Sequence, residues 1–215
     1  DMILQDVSKP MKSQGGAILE VNAGPALLMH LKPTSGAPRP VGQAIVEHLF
    51  PATADEGTGA GRIPIVGIAG TRHNAFTARF VGWLLQLSGK LTGGPSSGAW
   101  FRNTRRTQKA SAADWAGARR LLTNPLAQAA VIQTTARSIL EEGLAYDRCL
   151  VGVVTDMDGF ETLADHDVLE QAQMTRVLRT QIDVVLDEGA GVLKADIEQV
   201  ADLARLCDGE VLLYS

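Results

Sequence analysis

Cysteine is scarce in this chain: Cys149 and Cys207 are the only two in 215 residues. Both lie in or beside apolar segments and neither belongs to a C-x-x-C pair. The expectation is two buried thiols in a cytoplasmic protein, with no disulfide framework and no thiolate metal centre. The four histidines, His30, His48, His73 and His166, lack H-E-x-x-H or comparable ligand spacing, which removes the usual zinc signatures. Long apolar runs are missing as well. None approaches the ~20 residues of a membrane span. Asp1-Met2-Ile3-Leu4 has no basic segment leading into an apolar core, so no signal peptide is expected. Asp1 reads as a position inside a strand, as in a chain cut from a larger protein. A basic excess is also absent. The net charge of −4 gives no reason to expect nucleic acid or an anionic membrane as partner.

What is present is the composition of a globular protein, 45% hydrophobic and 20% charged. The length allows one domain of about 150 residues plus an extra piece. Residues 1–31 read as two short strands and a loop, Asp1–Leu4 and Ala17–Val21, with turn signals at Ser8-Lys9-Pro10 and Gln14-Gly15-Gly16. A short helix is expected over Val41–Leu49. The Gly- and Thr-rich stretch 53–61 reads as a linker, which separates a piece at 1–52 from a domain at 62–215.

Beyond Arg62 strands and helices alternate. Ile63–Ala69 is an apolar, β-branched run and predicts a buried strand. Phe76, Phe80, Leu84 and Leu87 repeat at helical spacing, so a helix is expected over 75–88, stopping near Gly89. A hairpin is expected near Gly98–Arg102 and a helix over 112–122. Further strands are expected at 127–133, 149–155, 182–186, 192–193 and 210–214. Further helices are expected at 136–142 and 167–180, and a last one is capped by Asp196 with Gln199 three residues on. This alternation means an α/β fold, a mostly parallel sheet with helices on both faces. Ligands of such sheets bind at the carboxyl ends of strands. Those ends are Gly70–Asn74, Gln133–Thr135 and Thr155–Asp158.

The segment Gly70-Thr71-Arg72-His73-Asn74 joins the first of these strands to its helix. Strand, glycine turn, helix is the arrangement that aims backbone N–H groups at an anion. A phosphate loop also needs a Lys for the outer phosphates and a Ser or Thr hydroxyl for Mg²⁺. Asn74 and Ala75 stand in those places. The segment is therefore either an anion site, with Arg72 and His73 supplying positive charge, or a plain strand-to-helix turn. Glu20-x-Asn22 places two oxygen donors on one side of a strand end. Asp1 on a neighbouring strand would complete a set for a hard cation; the alternative is a polar strand edge. Asp156 and Asp158 either hold a metal or an amine, or are simply solvated. Arg102, Arg105, Arg106 and Lys109 form a basic cluster, either a solvated face or a polyanion site.

Several stretches together resemble the cyanophycin synthetase family. Residues 15–25, Gly-Gly-Ala-Ile-Leu-Glu-Val-Asn-Ala-Gly-Pro, followed by Met29-His30-Leu31, resemble the end of its ATP-grasp domain. Residues 61–66 running into Gly70-Thr71 resemble the start of its Mur-ligase-like central domain. Residues 139–149 with Val151–Thr155, and the later Val192-Leu193-Lys194-Ala195-Asp196, resemble two more internal stretches. The resemblance implies a small β-rich ATP-grasp remnant over 1–52 and a P-loop-like Mur domain over 62–215. It implies ATP and Mg²⁺ as cofactors and two amide ligations, through acyl phosphates, that build a polymer of aspartate and arginine. Partners implied are the polymer or its amino acids, and a homo-oligomer or an active synthetase. Asp1, Glu20 and Asn22 match the metal ligands of the ATP-grasp site. Gly70, Thr71 and Thr77 fit the family pattern G-T-N-G-K-T-T and its continuation, whereas Arg72, His73, Asn74, Ala75 and Phe76 depart from it. Gln133 stands for a metal-binding Glu. Asp156–Glu161 stands for an N-I-x-x-x-H region without its His. Lys194 and Ile197 replace Asn and the second Asp of V-L-N-A-D-D. These departures converge on one nucleotide site, so a degenerate paralogue or fragment is expected, with a Mur-like site that no longer turns over. The chain also reaches Ser215 without the third Mur domain that usually takes the incoming amino acid.

Overall fold

A computed structural model describes residues 1–24, 26–49, 62–94, 99–102, 105–106, 115–124 and 126–215. The backbone divides into two compact units, Asp1–Gly61 and Arg62–Ser215.

The first unit is small and mostly exposed. Strand β1 (Met2–Ile3) pairs antiparallel with β2 (Ala17–Ile18), Met2 opposite Ile18. The expected longer strands are reduced to two residues each. Helical turns α1 (Met11–Gln14) and α2 (Leu28–Leu31) and the helix α3 (Val41–Leu49) take up much of the rest. The loop expected over 5–16 is thus partly helical. It closes on Gly15 in the left-handed region and is tied by Gln14, whose amide donates to the Asp6 and Lys9 carbonyls.

The second unit is an α/β domain. Its strands are β3 (Ile65–Ala69), β4 (Thr92–Gly94), β5 (Ala99–Arg102), β6 (Arg105–Arg106), β7 (Ala129–Thr134), β8 (Cys149–Val154), β9 (Val185–Lys194) and β10 (Glu210–Tyr214). They form one sheet in the order β10-β9-β8-β3-β7-β4-β5-β6. The six strands from β10 to β4 run parallel; β5 and β6 add an antiparallel edge. The helices are α4 (Asn74–Leu87), α5 (Trp115–Leu122), α6 (Ala136–Glu142), α7 (Gln171–Asp183) and α8 (Glu198–Ala201).

Alternation along the central strands assigns the helices to faces. Ile68, Val131 and Val153 point to one side and pack under Ala78 of α4. Ile65, Ala130 and Ile132 point to the other and meet Ala118 and Leu121 of α5. On that same side Ala69 and Val154 meet Met174, Leu178 and Ile182 of α7. Hence α4 covers one face, and α5 and α7 cover the other.

Several expected elements shift. Helix α7 begins at Gln171, held by a capping box in which Glu170 and Gln173 satisfy each other's backbone N–H groups. It runs to Asp183, so Ile182 is helical, fully buried in the core and not in a strand. The residues before it, Phe160–His166, form a 3₁₀ turn. Gly189-Ala190-Gly191, the turn residues between the strands expected at 182–186 and 192–193, are instead the interior of β9. The strand stays continuous through a bulge, where the register against β8 slips between Cys149 and Val151. A side chain at Gly189 would collide with the Leu150 carbonyl there. Asp196 does not cap α8; Ile197 holds that position, with no side-chain cap. Cys149 is buried, and burial pushes its thiol up to about 12. Cys207 is half-exposed, contrary to the expectation of two buried thiols. Arg62 forks onto Asp147 at the start of the unit and holds that carboxyl down at about 2.

Candidate functional site

The carboxyl ends of β3, β7 and β8 lie side by side because β3 sits between the other two. The chain leaves β3 toward β4 on one side and leaves β8 toward β9 on the other, so this is a topological switch point, the usual location for a ligand crevice in an open α/β sheet. The turn 70–73 leaves β3, Thr135 follows β7, and the loop 155–159 follows β8.

The turn begins at Gly70, whose φ of 146° is strained for any residue with a Cβ. A Cβ there would also meet the Thr155 hydroxyl. Two hydrogen bonds close the turn on itself. Asn74 is 2% exposed, and its side-chain amide donates to the Gly70 carbonyl at 2.5 Å. Asn74 Oδ1 accepts from the Ala75 N–H at 2.7 Å. The residue in the lysine's place therefore faces inward, onto its own loop. His73 stands at the N-cap of α4; its side chain is exposed, and its carbonyl accepts from the Thr77 N–H and hydroxyl.

The turn's outward amides meet an anion of the protein itself. The Thr71 N–H donates to Asp156 Oδ1 at 2.9 Å and Oδ2 at 3.0 Å, and the Arg72 N–H to Oδ2 at 3.1 Å. The Thr155 hydroxyl and the Asp158 N–H add bonds of 2.9 and 3.3 Å to the same carboxylate. Around this core, Thr71 Oγ1 donates to the Asp158 carbonyl at 2.7 Å and Arg72 Nε pairs with Asp158 Oδ2 at 2.9 Å. That pair is exposed, so it contributes at most about 1 kcal/mol. Gln171 at the start of α7 steadies the loop by donating to the Met157 carbonyl.

Burial alone would raise the Asp156 carboxyl. The bonds from the Arg72 N–H, the Thr155 hydroxyl, the Thr71 N–H and the Asp158 N–H outweigh it and hold the group below its ordinary value. A lowered folded value means that the unfolded chain takes up the proton first, so stability rises with pH. The contribution is complete above the ordinary Asp range, about pH 4, and fades as pH falls through the lowered value. Urea unfolding of the wild type and Asp156→Asn at pH 7 is expected to differ by roughly 2 kcal/mol. The gap should narrow toward pH 3; a gap independent of pH would refute this account.

Of the other expected site residues, Gln133 is half-buried on β7 beside Ile68 of β3. Thr135 caps α6 by accepting from the Ser138 N–H. In the first unit, Asp1 and Glu20 are joined through their backbones, the Glu20 N–H donating to the Asp1 carbonyl at 3.5 Å beside the Leu19 N–H at 2.8 Å. Asn22 donates its amide to Glu20 Oε1 at 3.1 Å. The backbone thus joins Asp1 to Glu20, and a side-chain bond joins Glu20 to Asn22. Among the described residues no group of three His, Cys, Asp or Glu is placed to hold a metal ion. Arg102, Arg105 and Arg106 lie on the antiparallel edge β5–β6, and Lys109 falls outside the described residues. Sequence reasoning missed an exposed ionic cluster in which Arg137 grips Asp165 at 2.8 and 3.0 Å, with Glu141 and His166 alongside. It also missed the bonding of Asp156 to the turn, because 85 residues separate the partners.

Comparison with known proteins follows the same lines. No protein-family model matches the chain. Cyanophycin synthetase of Synechocystis sp. is 35% identical over 216 residues, and that of Crocosphaera subtropica 32% over 219; each alignment covers 100% of this chain and 24% of the relative. Over its whole length the chain is similar to cyanophycin synthetases. It spans about a quarter of the length of these curated relatives. Among solved structures, MurF from Acinetobacter baumannii superposes with a TM-score of 0.50 at 10% identity, over 71% of this chain and 31% of that one. A UDP-N-acetylmuramoyl-L-alanyl-D-glutamate–2,6-diaminopimelate ligase gives 0.51 at 13%, over 71% and 32%. At such identity these likenesses speak for the fold alone, and the fold they share is that of Mur ligases. No helix among the described residues is long and apolar enough to cross a membrane.

Proposed function

We propose that this chain is part of a cyanophycin synthetase-like, ATP-dependent amide ligase that joins aspartate and arginine, and that its Mur-like nucleotide site no longer transfers phosphate. One observation carries the second half of this reading. The position that needs a lysine holds Asn74, buried and hydrogen-bonded to the Gly70 carbonyl, so no cation stands at that place. An amide cannot offset the charge that develops on a moving phosphoryl group. Arg72, the nearest candidate substitute, is paired with Asp158. The residues present do not fit a magnesium-bound triphosphate, and no catalytic step is assigned to them. ATP and Mg²⁺ belong on this reading to the ATP-grasp half of the parent enzyme, where Asp1, Glu20 and Asn22 would contribute oxygen ligands.

The purified chain is expected to show no calorimetric binding of Mg-ATP and no phosphate release with aspartate and arginine present. A micromolar affinity abolished by Thr71→Ala would overturn the reading. A second reading, a non-catalytic module that assembles with an active synthetase or its polymer, is favoured by the exposed side of α4. There Phe76, Phe80 and Trp83 form a ladder of ring contacts facing solvent. Co-purification with an active synthetase would support that reading.

A further inference from the structure

The Gly70 turn retains the shape of an anion cradle, and the group seated on it belongs to the chain. We propose that the Asp156 carboxylate is the resident anion of this turn, an internal ligand that keeps phosphate off the Thr71 and Arg72 amides. This deepens the reading above and rests on it in taking the turn as a former phosphate loop.

Two adjacent backbone N–H groups after a glycine, just ahead of a helix, form a concavity that suits an anionic oxygen. In this protein both N–H groups converge on one carboxylate, at 2.9 to 3.1 Å. That carboxylate is not a passing surface group. Asp156 is 4% exposed, stands directly after β8, and has both oxygens bonded. β8 is hydrogen-bonded to β3, and the Thr155 N–H continues that ladder onto the Ala69 carbonyl at 3.0 Å. The ligand and its cradle are therefore fixed to neighbouring strands. A tethered group of this kind competes at an effective concentration of about millimolar or more. A free phosphate would have to displace it and would also meet the negative charge of Asp158, whose partner Arg72 is already engaged. The loss of the lysine and the presence of a carboxylate act together: one removes the attraction at the outer end, and the other fills the inner end.

The test uses the full chain, labelled with ¹⁵N, at pH 7. Amide hydrogen exchange at Thr71 and Arg72 is compared in the wild type, Asp156→Ala and Asp156→Asn, each with and without inorganic pyrophosphate. Exchange at both amides should be about tenfold or more faster in Asp156→Ala. Pyrophosphate should shift those two resonances, and slow their exchange, in the variants but not in the wild type. Asp156→Asn keeps the shape of the side chain and carries the test if the alanine variant does not fold. Equal exchange in all three proteins would overturn the proposal. So would pyrophosphate binding to the wild-type amides, or faster exchange in the variants with no pyrophosphate response. Pyrophosphate on the wild-type amides without ATP turnover removes only this inference, whereas phosphate release from ATP by the wild type removes the functional reading.

Discussion

Replacing Gly67 by valine should cost about 3 kcal/mol of stability. Gly67 lies in the middle of β3, in register with Gly152 of β8. The two glycines leave a notch on the face covered by α7, and a buried polar pair fills it. The Tyr146 hydroxyl donates to Gln181 Oε1 at 2.7 Å, and Gln181 is fully buried. A Cβ at residue 67 would overlap the Tyr146 oxygen and come within 2.5 Å of Gln181 Nε2. Strands β3 and β8 cannot yield, because each is bonded on both sides. The pair must therefore separate, which leaves two buried polar groups without partners. Against a total stability of about 5–15 kcal/mol, this is a large loss. Urea denaturation should show a markedly lower midpoint, partly recovered in Gly67→Val with Tyr146→Phe. An unchanged midpoint for Gly67→Val would refute the packing argument.

Leu178→Ala should cost about 2–5 kcal/mol. Leu178 is 0% exposed at the centre of α7, and it packs in one core with Ala69, Val154 and Leu193 from three strands. Removing its branched end leaves a void that the sheet cannot close, since strand spacing is set by the hydrogen-bond ladder. The control is Leu169→Ala: Leu169 is 67% exposed just before the helix, and its loss should change stability by less than about 0.5 kcal/mol. Thermal or urea unfolding separates the two. Equal effects would mean that α7 does not hold the core as described.

Much of the fold was legible because its signals are local. Buried β3 and β8 are short β-branched runs, and α4 carries a clear 3.6-residue repeat. The reading failed where one signal had two structural uses. Gly189 and Gly191 look like a turn, yet both lie inside β9: Gly189 sits in the bulge, where the Leu150 carbonyl of β8 leaves no room for a side chain, and Gly191 pairs with Gly152 and faces Cys207. Ile182 looks like the start of a strand, yet it closes the apolar stripe of α7. Asp196 looks like a cap, but the chain turns one residue later. At the site, the position of the turn and its missing lysine could both be read from residue types. The direction of Asn74 could not, since a buried amide chooses its acceptor from the folded loop.

From the amino-acid order alone came the alternation of strands and helices, the place of the glycine turn after β3 and the residue types that depart from a phosphate loop. These follow from periodicity and side-chain chemistry, which act over a few residues. The tertiary structure alone decided what fills the turn. Asp156 reaches the Thr71 and Arg72 amides only because β8 lies beside β3, and strand order is a contest among long-range pairings that no local pattern records.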